Sequence, residues 1–154
     1  MSLQSLDLPD ERATESAARG LAKALVPGMV LTFVGEIGSG KTSLVRAMLR
    51  HLGVTGAIKS PSFSIVETYD CQDFTVNHFD LYRIEEEAEL AYIGFREYFV
   101  PNAVCCIEWP ERAPYSLPQV DIRCCLSIKG SGRLLLIETL DIHRHLGAVN
   151  ISLA

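Results

Sequence analysis

Residues 35–42 read G-E-I-G-S-G-K-T, which fits the pattern G-x-x-x-x-G-K-[ST] at every fixed position. Each residue type in it has a mechanical task. Gly35, Gly38 and Gly40 let the backbone enter positive φ and come close to a phosphate. The N–H groups running through Glu36, Ile37, Ser39 and Ser43 converge on an anion as a backbone nest. The start of the next helix adds its partial positive charge. Lys41 can reach β- and γ-phosphate oxygens, and the Thr42 hydroxyl can ligate Mg²⁺.

The flanks supply the context the motif requires. Met29 to Val34 form an apolar run that reads as a buried strand. After the loop, Leu44, Val45, Met48, Leu49 and Leu52 fall on one helical face, and Gly53 ends that helix. Strand, glycine loop and helix in this order place a ligand at the carboxyl end of the strand.

Composition sets the bounds. The 154 residues suit one domain, 1–154, with one core, and the apolar and charged shares of 48% and 21% are those of a soluble globular protein. No apolar run reaches the ~18 residues of a membrane span, and the N-terminus has neither basic n-region nor apolar h-region. The expected location is therefore the cytoplasm, with no membrane partner. The five cysteines are odd in number and lack C-x-x-C spacing, so they read as reduced core residues. The net charge of −5 carries no basic patch. DNA is not expected as a partner, and any RNA would be held mostly by another protein.

Elsewhere, Thr14 is placed as the cap of a first helix with Glu15 in its first turn, ended by Pro27-Gly28. Residues 64–69 and 74–80 read as two strands joined by a link too short for a parallel crossover. Residues 85–99 read as a helix opened by three glutamates, with Gly94 as a place where it could divide. Ala103 to Ile107 is a second buried strand. Val120, Ile122, Cys124, Leu126 and Ile128 alternate as a strand with one wet face, and Gly130-Ser131-Gly132 turns it into a hairpin with 133–139. The tail from Asp141, with His143 and His145, reads as weak helix or loop. The expected fold is α/β: a three-layer P-loop NTPase-like domain whose mixed central sheet, parallel and antiparallel, is flanked by helices.

A nucleotide site of this kind needs a carboxylate at the end of a buried strand, to hold Mg²⁺ or to orient the attacking water. Glu108, after Val104-Cys105-Cys106-Ile107, and Asp80, after Val76-Asn77-His78-Phe79, both qualify. Trp109 fits a functional role, stacking on a base or anchoring a partner, and core packing equally, and His78 reads as a sheet histidine. Ser60-Pro61-Ser62 fits a γ-phosphate-sensing segment and an ordinary turn equally.

Taken together, these pieces resemble the TsaE (YjeE) family of bacterial ATPases over nearly the whole chain. The resemblance is carried by Thr14 with its alanine-rich helix and by G-E-I-G-S-G-K-T. It continues through K-S-P-S-F-S-I-V-E-T-Y (59–69), H-F-D-L-Y-R-I (78–84), I-G-F-R-E-Y-F (93–99) and I-E-W-P-E (107–111). Ser62 stands where the family usually has Thr, which keeps the hydroxyl. The resemblance implies ATP and Mg²⁺ as cofactors and slow hydrolysis by the protein alone. It also implies a role beside the TsaB and TsaD proteins, which attach a threonylcarbamoyl group to adenosine 37 of tRNAs reading ANN codons. The transfer belongs to TsaD, tRNA is met only through the complex, and the ATP cycle resets that complex between turnovers. Carried onto this chain, Lys41 holds phosphates and Thr42 ligates Mg²⁺. Asp80 and Glu108 serve the metal or the attacking water, Ser62 lies in a switch-like segment, Trp109 is near the site, and the segment around Thr14 borders the adenine.

Three rivals share the loop. A small-molecule kinase usually carries an arginine-bearing lid, and no lid insertion is evident here. A GTPase would show N-K-x-D and D-x-x-G, both absent. A nucleotide-gated binding module differs from a weak ATPase only in whether the bond breaks.

Overall fold

A computed structural model describes residues 2–140. A seven-stranded sheet carries the fold: β1 (Ser2–Leu8), β2 (Val30–Val34), β3 (Val66–Asp70), β4 (Thr75–Asp80), β5 (Ala103–Glu108), β6 (Ile122–Lys129) and β7 (Gly132–Thr139). The spatial order is β1-β7-β6-β2-β5-β4-β3. The central β6-β2-β5-β4 strands run parallel, while β4–β3, β6–β7 and β7–β1 are antiparallel. This is the mixed sheet the two short links and the buried runs imply.

Side-chain alternation sorts the strands into two cores. On one face, Leu31, Phe33, Val104, Cys106, Cys124 and Leu126 meet α1 (Glu11–Ala24) and α2 (Lys41–His51) through Leu21, Leu44, Val45 and Met48. On the other, Phe79, Cys105 and Ile107 meet Leu90, Phe95 and Ala113. Phe79 packs edge-on against Phe95 and Tyr98, with ring centroids 5.1 and 5.3 Å away. All five cysteines are free thiols. Burial pushes the Cys105 thiol up to about 11 and raises Cys106 and Cys124 further, so they stay protonated and inert in the core. Among the described residues, no helix is long and apolar enough to cross a membrane.

Three local readings are corrected. The first helix starts a turn before Thr14. Asp10 is its cap, accepting a 2.9 Å bond from the Ala13 N–H, with Glu11 as the acidic first-turn residue. Thr14 sits inside the helix, and its hydroxyl donates back to the Asp10 carbonyl at 3.4 Å. Residues 85–99 do not form one helix. α3 (Glu89–Tyr92) is a single turn, Gly94 breaks it at φ +68°, and a 3₁₀ turn follows at Phe95–Tyr98. The three glutamates lie outside it: the N–H groups of Glu85 and Glu86 donate to the Glu89 carboxylate, and Glu87 accepts from the Tyr115 N–H. The helical layer on this face is therefore thin. Finally, β1 was not anticipated, and it closes one edge of the sheet along β7. The tail from Asp141, with His143 and His145, lies outside the described residues.

Candidate functional site

The loop of residues 35–40 leaves β2 and enters α2 directly. Gly38 and Gly40 hold φ +80° and +102°, and Gly40 in the left-handed region is the residue from which α2 starts. α2 has no side-chain cap and no acidic residue in its first turn. α1 has both. The N-terminal N–H groups and the positive end of α2 are thus left for something other than the chain's own side chains.

Lys41 is 5% exposed. Its ammonium donates to the carbonyls of Gly35 and Glu36, lies 3.5 Å from Ser39 Oγ, and sits 4.5 Å from the centre of the Trp109 ring. Desolvation lowers its pKa, against the pull of Glu108, Asp80, Glu111 and Glu36. The loop therefore wraps around a buried cation.

The carboxylates arrive from the neighbouring strands. β4 and β5 pair in a register that sets Asp80 opposite Glu108 and His78 opposite Cys106. All four are on the α2 side of the sheet by alternation with Val76 and Val104. Glu108 accepts the Thr42 hydroxyl at 2.9 and 3.0 Å to its two oxygens, and His78 Nε2 lies 2.6 Å from Oε2. Asp80 accepts from the Tyr82 N–H at 3.0 Å and from Ser62 Oγ at 3.5 Å. Desolvation is the main cause that raises its pKa, offset in part by the Tyr82 N–H and assisted by the nearby Glu108. Ser62 reaches it because Ile65 turns at φ +71°: the Ile65 N–H donates to Pro61 at 2.7 Å and the Ile65 carbonyl accepts from the Asp80 N–H.

Two adjoining cavities meet at Gly40 and Ser43. One, of about 370 Å³, is lined by Ile37, Lys41, Thr42, Asp80, Glu108 and Trp109 among others. The second, of about 460 Å³, takes Thr14, Glu15, Ser39, Arg46, Arg50 and Gly132. The expected residues Ile37, Gly38, Ser39, Gly40, Lys41, Thr42, Ser43, Asp80, Glu108, Trp109 and Thr14 thus line one or other of these cavities. Gly35 and Glu36 line neither; their carbonyls hold Lys41 from behind. Trp109 is half-buried, at φ +57°, with its ring 4.9 Å from that of Tyr82.

Two residues were not singled out. Arg133 lines both cavities, and its guanidinium donates to the Gly38 carbonyl at 2.9 Å. It stands at the start of β7, and Gly132 before it lets the hairpin touch β1: a Cβ there would lie 2.6 Å from the Leu8 carbonyl oxygen. His78 was read as an ordinary sheet histidine. Its signal was present in the sequence, as a polar residue two before Asp80 on the same strand face.

This is an α/β protein with a mixed sheet and a cleft at the carboxyl ends of its parallel strands, lined by one lysine and two carboxylates. The chain belongs to the TsaE family: the family model described as "Threonylcarbamoyl adenosine biosynthesis protein TsaE" matches residues 8–134. Among curated proteins it is similar to the tRNA threonylcarbamoyladenosine biosynthesis protein TsaE of Haemophilus influenzae, 38% identical over 75% of this chain and 76% of that one. The protein of that name from Bacillus subtilis is 34% identical over 79% of this chain and 75% of its own length. Among solved structures, Bacillus subtilis YdiB superposes with a TM-score of 0.76 at 25% identity, covering 91% of this chain and 87% of that one.

Proposed function

We propose that this chain is a Mg²⁺-dependent ATPase, slow alone and stimulated by partners, required for threonylcarbamoylation of adenosine 37 in tRNAs that read ANN codons. It works in the cytoplasm with TsaB and TsaD, meets tRNA only through them, and uses its ATP cycle to reset the complex between turnovers. The observation that carries this reading is the convergence of Lys41, Thr42, Glu108 and Asp80 on a glycine loop that opens an uncapped helix.

In this reading the loop is a phosphate-binding loop. The N–H groups of residues 36–43 cradle the phosphates, and Lys41 turns from the loop carbonyls to the β- and γ-oxygens. The second cavity, with Thr14 on its wall, receives the adenosine. The donor set suits Mg²⁺: a hydroxyl and two carboxylates, all hard oxygens. Among the described residues no three His, Cys, Asp or Glu side chains form a complete metal cage. That is the usual state of a Mg²⁺ site completed by substrate phosphates and water. Thr42 donates its hydroxyl hydrogen bond to Glu108, which leaves its oxygen lone pairs for the metal. Bound there, the metal supplies charge neutralisation for the transferring phosphoryl group. Asp80, buried beside Ser62, serves the metal or orients the attacking water. Its neighbour Ser62 reports the γ-phosphate to the 61–65 turn.

The test is phosphate release from Mg·ATP by the protein alone and with TsaB–TsaD from the same source. Slow basal release, strong stimulation, and loss of nucleotide binding in Lys41→Ala are expected. Unchanged ATP affinity in Lys41→Ala refutes the site, and absence of stimulation refutes the partner role.

A further inference from the structure

His78 and Glu108 are 1% and 2% exposed and lie 2.6 Å apart behind the cleft. His78 Nδ1 is buried with no hydrogen-bond partner. Glu108 in turn takes the Thr42 hydroxyl with both oxygens. Thr42, Glu108 and His78 therefore make one chain of contacts from the first turn of α2 down to the sheet. The terminal torsion of a glutamate is broad and nearly two-fold. With Thr42 as its only donor, the Glu108 carboxylate could rotate about that torsion. A second donor on Oε2 removes the freedom.

We infer that His78 is a positioning residue: its Nε2–H, donated to Glu108 Oε2, fixes the carboxylate so that it orients the Thr42 hydroxyl toward the cleft. The inference rests on the reading of that cleft as the Mg·ATP site. The surroundings select the tautomer. With the proton on Nε2, the orphan Nδ1 is a bare acceptor. With the proton on Nδ1, the ring would bury an unsatisfied donor and face the carboxylate with a lone pair, which is the costlier arrangement. The ring is itself held by burial on β4 opposite Cys106. Oriented ligands of this kind typically depend on such outer contacts by about 10–100-fold in affinity or activity.

Three measurements on the full chain test this. The first is ¹⁵N-histidine NMR of the protein without nucleotide. It should show His78 protonated at Nε2 and bare at Nδ1, and the Nε2 signal should move in Glu108→Ala. The second is affinity for a non-hydrolysable fluorescent ATP analogue. The third is single-turnover ATP hydrolysis. His78→Phe should keep analogue affinity within about threefold and lose about 10–100-fold in turnover. His78→Gln, whose amide N–H reaches the place of Nε2–H, should recover most of the rate. His78→Asn, which reaches only the place of Nδ1, should not. In a Glu108→Ala background, His78→Phe should cost nothing more. Wild-type turnover in His78→Phe, equal rates in the Gln and Asn variants, additive losses, or a protonated Nδ1 would each overturn the inference. If His78→Phe does not fold, the Gln and Asn pair decides. If the wild-type protein neither binds nor hydrolyses ATP, the Mg·ATP reading has failed, and the NMR response to Glu108→Ala still judges the His78 contact.

Discussion

Replacing Gly35 by alanine should damage both the fold and the cleft. A Cβ at Gly35 would stand 2.4 Å from the Leu126 carbonyl oxygen and 2.5 Å from Ser39 Oγ. Carbon–oxygen contacts rest at about 3.3 Å or more, so relief requires a shift of roughly 1 Å. β6 cannot give way easily, because Val34 and Cys125 are in register beside the clash. The loop must move instead. Overpacking of this size costs about 1–3 kcal/mol. For a domain of this length that lowers Tm by about 2–12 °C. A displacement of about 1 Å in a positioning element can also cost about 10²-fold in rate. Gly38→Ala is the control. Nothing lies within 4 Å of its Cβ position, and only the φ of +80° is unfavourable. It should therefore lose about 1–2 kcal/mol without the steric displacement. Calorimetric melts with and without Mg and an ATP analogue are the assay. Gly35→Ala should melt lower than wild type and gain little from nucleotide. A Gly35→Ala protein that melts within about 1 °C of wild type and is stabilised normally by nucleotide would refute the steric argument.

Glu108→Ala should still bind ATP and lose partner-stimulated hydrolysis, and wild-type turnover in that variant would assign Glu108 to structure alone. Asp80→Asn should raise Tm at neutral pH. Burial lifts the Asp80 carboxyl above its ordinary 3.8, so the native state holds that proton more tightly than the unfolded chain. The wild type then loses stability as pH rises from about 4 through the raised value. Melts of both proteins from pH 3 to 8 should converge at the acid end, and a Tm gap that is constant with pH would contradict this. Asp10→Ala removes the cap of α1 and should cost about 1 kcal/mol, or about 2–4 °C, read by thermal unfolding, with no change in turnover per folded molecule.

The elements that carry the site were legible because their signals are local. The G-E-I-G-S-G-K-T loop lies between an uninterrupted apolar strand and a helix with a clean face, and both appear where expected. Asp80 and Glu108 end buried strands, as read, and the register of those strands sets the two residues opposite each other. What failed was non-local or masked. β1 alternates Gln4, Leu6 and Leu8 inward with Leu3, Ser5 and Asp7 outward, so hydrophobicity hardly marks its faces, and its partner is at the far end of the chain. Thr14 was read as the cap and Asp10 was passed over, although an aspartate directly before Glu11 is a helix-start signal. The 85–99 segment has helix-forming residues, but the left-handed Gly94 and the use of Glu89 to tie Glu85 and Glu86 limit it to single turns. The link from His78 to Glu108 depends on a strand register that no local pattern reports.

The strand order sets a schedule for the nascent chain. β2, which ends where the loop begins, is flanked by β5 and β6, both synthesised long after it, and β1 finds its neighbour only in β7. At about 5–20 residues per second, the loop would wait roughly 5–20 s between leaving the synthesis machinery and gaining both walls of its groove. Gly132 and Arg133 are the last residues lining the second cavity to be made. A growing chain has no intact cleft until the β6–β7 hairpin pairs, so nucleotide can act as a folding ligand only after β7 has been made.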